Sequence, residues 1–189
     1  MTDMNRKLIL PFLAILLGLA VILRFGGKAE EKSTPSPLPP GTEEIQWKQL
    51  IPQDWNPRAT LDRLGVDQFK DNDPKAKQIM AKIRAEWDQA PAVSALDGKR
   101  VRITGYVVTL EGDENGATEF LLVPFYGSCI HTPPPPANQV VHVLTSKPIP
   151  AAVMFNQVRV TGKITVVQAK TGLASAGYQM RDADVEEAP

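Results

Sequence analysis

Hydrophobic positions fall into three regimes along this chain. From Leu8 to Leu23 they are nearly continuous, interrupted only by Pro11 and Gly18. From Asp73 to Ala90 they take a helical period, with Ala76, Ile79, Met80, Ile83 and Trp87 on one face. Asp73 is placed to cap that helix and Pro74 to fill its first position, so a helix is expected over 73–90. Beyond Lys99 the period becomes two: Val101, Ile103 and Val107 alternate with Arg100, Arg102 and Thr104. The turn-rich stretch Glu111 to Gly116 then returns the chain into Glu119-Phe-Leu-Leu-Val123. The pattern predicts strands at 99–110, 118–124, 139–145, 156–168 and 175–182.

Two of these strands share a pentad. Val-Arg-Ile-Thr-Gly105 is echoed by Val-Arg-Val-Thr-Gly162. Glycine inside a strand marks a bulge or a sharp bend, and two at equivalent places suit the corners of a small closed barrel. The expected fold is mainly β: a small OB-like Greek-key barrel with an N-terminal helical annex, preceded by one transmembrane helix. The helix such a barrel carries between its third and fourth strands would fall on Pro148 to Phe155, which is poor helix material.

The apolar run follows Arg6 and Lys7 and precedes Arg24, and Phe25 extends it toward the roughly 20 residues a spanning helix needs. No clean Ala-x-Ala site follows, which favours an uncleaved signal anchor over 1–28 rather than a cleaved signal peptide. Residues 29–43, with Pro35, Pro37, Pro39, Pro40 and Gly41, have the composition of a partly stiff linker. The expected protein is single-pass in a bacterial inner membrane, with a periplasmic domain over 44–186. Trp47, Leu50, Ile51 and Trp55 open that domain. They read as a turn-rich segment packing on it, or as an aromatic patch for a partner.

Length and charge narrow the function classes. The chain has 189 residues, room for one domain beside a membrane segment. Its 21 basic and 21 acidic residues balance, so it lacks the broad positive field of a nucleic-acid binder. One cysteine excludes an internal disulfide.

The candidate chemistry lies between Pro124 and His142, which holds the sole cysteine and both histidines. Pro133, Pro134, Pro135 and Pro136 form a stiff polyproline-like run without backbone donors. Cys129, His131 and His142 are the donor set for a metal site suited to zinc or copper with one position open. A metal-free alternative makes Tyr126, the four prolines, Asn138 and Gln139 a binding loop for a protein partner. A third takes Cys129 as a nucleophile or redox thiol, with His142 as base and Asn138 or Gln139 orienting it; no second cysteine is present to resolve it. A structural reading stands beside all three: Cys129 a small buried hydrophobe, His131 a turn cap, His142 a satisfied strand residue. Glu111, Asp113 and Glu114 read as a solvated hairpin tip rather than paired catalytic carboxylates.

Three stretches carry a family resemblance: Trp47-Lys-Gln-Leu-Ile-Pro, Leu96-Asp-Gly-Lys-Arg-Val-Arg-Ile-Thr-Gly-Tyr-Val-Val, and above all Glu119 to Gln139 with its Cys-Ile-His-Thr-Pro-Pro-Pro-Pro core. On these the chain from about Ile45 to Val185 resembles a bacterial family of unknown function, DUF3299. The resemblance implies an exported domain of small-barrel type and a companion to ABC-type membrane transport systems, with no established activity. The expected role is that of a non-enzymatic, membrane-anchored periplasmic accessory.

Overall fold

Alternation in the C-terminal half closes on itself. The computed structural model describes residues 36–66, 74–113, 116–127 and 134–188. The expected anchor, residues 29–35 of the linker, Asp73, Cys129, His131 and Pro133 lie outside the described residues. Among the described residues there are six strands: β1 (Glu43–Glu44), β2 (Arg100–Asp113), β3 (Gly116–Val123), β4 (Val141–Ile149), β5 (Gln157–Lys170) and β6 (Ser175–Glu187). Their order is β1-β2-β3-β4-β6-β5, and β2 also pairs with β5, so β2, β3, β4, β6 and β5 form a closed five-stranded barrel. Within it β4 and β6 run parallel and the other neighbours antiparallel. The two-residue β1 adds to β2 in parallel.

Inward positions of every barrel strand meet in one core, which includes Val101, Ile103, Phe120, Leu122, Val141, Val143, Val158, Val160, Tyr178 and Met180. Closure gives each strand two partners, which removes the exposed edges an open sheet would leave. Leu121, Val123 and Val140 sit at the opposite parity and form a second cluster with Ala174 and Ala176. The barrel wall is thus apolar on both faces along part of β3 and β4. β4 carries Pro148 because its ladder with β3 shifts register between the pairs at Ala117 and Glu119, where a missing N–H is tolerated. The segment between β4 and β5 holds only a 3-10 turn, Ala151–Phe155.

The echoed pentads are partners. Val101 pairs with Gly162, Arg102 with Thr161, Ile103 with Val160, Thr104 with Arg159 and Gly105 with Val158, about a local two-fold in the β2–β5 seam. That ladder is unbroken from Arg100 to Tyr106, so Gly105 is not the bend its place in the pattern suggested. It permits close approach instead: an added Cβ would stand 2.7 Å from the Val123 carbonyl oxygen and 2.8 Å from the Trp47 ring. Gly162 does lie at a register shift between β5 and β6, beside Asp182, which takes a left-handed φ of 48°.

Among the described residues two helices make the annex, α1 (Pro57–Leu64) and α2 (Pro74–Trp87). The pattern of apolar residues pointed only to the second. The first is written in its ends: Asn56 caps it by accepting from the Arg58 N–H at 2.9 Å, Pro57 opens it and Gly65, at φ 63°, closes it. Among the described residues no helix is long and apolar enough to cross a membrane.

Glu86 of α2 joins the helices by accepting from Arg63 and from Thr60 of α1. Its hydrogen bond to Arg63 holds its carboxyl below the ordinary 4.5, against the opposing effect of burial. A carboxyl lowered in this way contributes stability that is present above pH 4.5 and lost as pH falls through the folded value. The expected result is a small, acid-sensitive loosening of α1 from α2. Acid titration of Trp87 emission should show it in the wild type and not in Arg63→Gln; identical titrations would assign the docking to apolar contacts alone.

Candidate functional site

Of the residues singled out from the sequence, His142 is the one the fold builds around. It stands between core residues Val141 and Val143 on β4, so strand alternation turns it to the outer face, opposite Leu121 of β3 and Gln179 of β6. Its side chain is 10% exposed. Nε2 lies 2.7 Å from Glu119 Oε1 of β3, and Nδ1 lies 3.0 Å from the Gln179 amide nitrogen. Gln179 is itself oriented, because its Oε1 accepts from Arg181 Nε at 2.8 Å. The amide therefore presents N–H to the imidazole, Nδ1 accepts, and Nε2–H donates to the carboxylate. Both ring nitrogens are occupied, so a base role toward a thiol requires one of these bonds to break. His142 and Glu119 border an open groove of about 600 Å³ that runs to the turn between β5 and β6 at Thr171 and Leu173.

The rest of the stretch divides by burial. Tyr126 is 65% exposed, its ring edge-on to Tyr106 at 5.9 Å, and neighbouring Phe125 is 73% exposed. Pro134 and Pro136 are buried and Pro135 is half-buried. Asn138 is fully buried and donates from Nδ2 to the Pro91 carbonyl at 3.0 Å. Gln139 donates to the Trp47 carbonyl at 3.0 Å. These two amides fasten the loop exit to the segments that precede the barrel. Gly177 on β6 lets that exit settle, since a Cβ there would come within 2.9 Å of the Ala137 carbonyl oxygen. Trp47 packs on the core and donates from its indole to the Thr104 carbonyl at 2.7 Å, a packing role and not an exposed patch.

Cys129 and His131 lie outside the described residues, so the expected three-ligand set is represented by His142 alone. Among the described residues no three His, Cys, Asp or Glu groups converge. Glu119 and Gln179 were missed from the sequence. The first reads as the polar head of an apolar strand and the second as an ordinary outward residue. Only the pairing of β4 with both β3 and β6 brings them to one ring.

Comparison with known proteins agrees with this architecture. The chain matches the crystal structure of a DUF3299 family protein from Pseudomonas aeruginosa PAO1 at 36% identity, over 82% of this chain and 98% of that one, with a TM-score of 0.60. No curated protein matches it. The DUF3299 family, described as a protein of unknown function, matches residues 47–187, a span that takes in α1, α2, the whole barrel and the Glu119–His142 pair. The chain belongs to the DUF3299 family.

Proposed function

We propose that this protein is a non-enzymatic accessory domain of the bacterial envelope, tethered to the inner membrane by its N-terminal apolar run, exposed to the periplasm, and working beside an ABC-type transport system by binding a transition metal. Its barrel is read as OB-type, on the strand order around it and the parallel pairing of its third and fifth barrel strands, β4 and β6. The observation that carries the metal reading is the hydrogen bond from His142 Nε2 to Glu119. Metal-binding histidines characteristically donate one ring N–H to a carboxylate, which fixes the tautomer and leaves the other nitrogen basic. Here that other nitrogen is Nδ1, and the Gln179 amide holds its lone pair. Zinc or copper would displace the amide and take Nδ1 together with the Cys129 thiolate and the His131 imidazole.

The test is elemental analysis and zinc titration of the full chain in detergent, purified without chelator or affinity histidines. Near-stoichiometric metal is expected in the wild type and not in His142→Ala. Glu119→Gln should weaken binding about tenfold or more, as loss of an orienting carboxylate does. A folded wild type that takes up neither zinc nor copper, or metal content unchanged in His142→Ala, would overturn the reading.

A further inference from the structure

The self-paired pentads place two arginines on the outer face of the β2–β5 seam, and their surroundings differ. Arg102 faces Thr161 across the ladder and Arg159 faces Thr104. Arg102 donates from Nε to Thr161 Oγ1 at 3.0 Å and from Nη1 to the Ser36 carbonyl at 2.7 Å. Arg159, its mate by the local two-fold, makes neither kind of bond, although its side chain is only 6% exposed. Its ionic contact is from Nη1 to Glu186 Oε1 at 3.5 Å, and Arg102 Nη2 approaches the same oxygen at 3.6 Å. Both separations are longer than a charged hydrogen bond, and Glu186 Oε1 is buried with no hydrogen-bond partner among the described residues. Arg159 is thus a nearly buried guanidinium with no hydrogen-bond acceptor among the described residues.

Such a group is costly unless something completes its hydrogen bonds. Both arginines, Thr104 and Gln157 line one open groove of about 540 Å³. Two guanidiniums stand there with the Glu186 carboxylate within 3.6 Å of both, and Glu44 lines the groove from its exposed rim. The next row of the same face is cationic too. Arg100 lies opposite Lys163, and Lys163 opposite Arg181, with only Asp184, 3.8 Å from Arg100, set against the three cations. Like charges directly opposite destabilise a sheet, which an anion on this face would relieve.

We propose that this groove is a phosphate site, separate from the His142 groove. The Arg159 fork matches a phosphate bidentately, and Arg102 Nη2, the Gln157 amide and the Thr104 hydroxyl add donors from other directions. Donor groups on four side chains suit the oxygens of a phosphate better than the two of a carboxylate. The source of the phosphate is either a lipid headgroup or a soluble phosphate, and the chemistry recognised is the same.

The experiment is isothermal titration of the full chain in uncharged detergent with inorganic phosphate, with dihexanoyl phosphatidylglycerol and with acetate. Phosphate is expected to bind saturably, to weaken with added salt and to lose at least tenfold in affinity in Arg159→Gln. His142→Ala should bind it as the wild type does. Binding of the lipid at comparable affinity supports a headgroup source, and binding of inorganic phosphate alone supports a soluble one. Should Arg159→Gln fail to fold, Arg159→Lys keeps the charge and stem but loses the fork, and is expected to bind at reduced affinity. Acetate binding as tightly as phosphate would overturn the phosphate assignment. Phosphate binding unaffected by Arg159→Gln or Arg159→Lys would overturn the site.

Discussion

Tyr178→Phe should lower the stability of the domain by roughly 2–4 kcal/mol, although it removes a single oxygen and leaves no cavity behind. Tyr178 is fully buried in the barrel core. Its hydroxyl accepts from the Val93 N–H at 2.6 Å and donates to the Leu50 carbonyl at 2.8 Å. One side chain of β6 therefore satisfies backbone groups of two segments that are far from each other in sequence and that both precede the barrel. Without the oxygen, a donor and an acceptor are left buried and unpaired, each costing about 1–3 kcal/mol. Thermal unfolding should shift down by about 10 °C for a domain of this size. A change of less than about 0.5 kcal/mol, the range of a neutral surface substitution, would show that water reaches these groups and that the segments at Leu50 and Val93 are held by apolar contacts alone.

The same substitution has a signature in alkali. Burial pushes the Tyr178 phenol above its ordinary value of 10.0, against the opposing effect of the Val93 hydrogen bond. The folded state therefore favours the neutral phenol. That contribution is complete below pH 10.0 and is lost as pH rises through the folded value. The wild type should lose stability more steeply than Tyr178→Phe above about pH 10. Urea unfolding on either side of that pH measures the difference.

Gly105→Ala is the second large effect, on the order of 3 kcal/mol, at the upper end of what overpacking costs. Alanine suits a strand better than glycine, so a gain would follow from propensity alone. The environment reverses it. The new methyl would stand 2.7 Å from the Val123 carbonyl oxygen, 2.8 Å from Trp47 Cζ2 and 3.0 Å from Leu122 Cγ. The carbonyl belongs to a residue paired with Tyr106 in the β2–β3 ladder, so it cannot retreat without opening that ladder. Gly162→Ala is the internal control. Its methyl would meet the terminal Cε of Met180 at 3.3 Å, the far end of a flexible side chain, and should cost about 1 kcal/mol or less. Denaturant midpoints for the two variants test the contrast. Equal losses would mean that both glycines serve the barrel in the same way and that the packing of Trp47 on Gly105 is incidental.

The strands and α2 were legible because each keeps one period long enough to read: Val101 to Val107 in twos, Ile79 to Trp87 in threes and fours. α1 was not, since Thr60, Leu61 and Leu64 give too short a stripe; its signal lay in Asn56, Pro57 and Gly65. The pentads were visible as a repeat, but repetition does not say whether two copies occupy equivalent corners or lie against each other. That depends on register, which the β2–β5 pairing sets. The site was legible only in its rarest residue. His142 stood out by scarcity, whereas Glu119, Gln179 and Arg159 are common residues at outward positions. What distinguishes them is a neighbour brought from more than twenty residues away, and no local pattern encodes that.

The pairing of the pentads with each other has a consequence beyond this one molecule. Val-Arg-Ile-Thr-Gly read against a reversed copy of itself places Val101 opposite Gly105, Arg102 opposite Thr104 and Ile103 opposite its twin. That repeats the contacts of the native seam. Each of the two strands is therefore as complementary to its own kind as to its partner. A barrel opened along β2–β5 exposes two edges that another opened copy can satisfy, by exchange or by like-with-like association. Closure within one chain is favoured because both pentads are carried on it, where each meets the other at a high effective concentration. The repeat that makes the seam self-consistent also makes it the place where strand exchange between copies would begin.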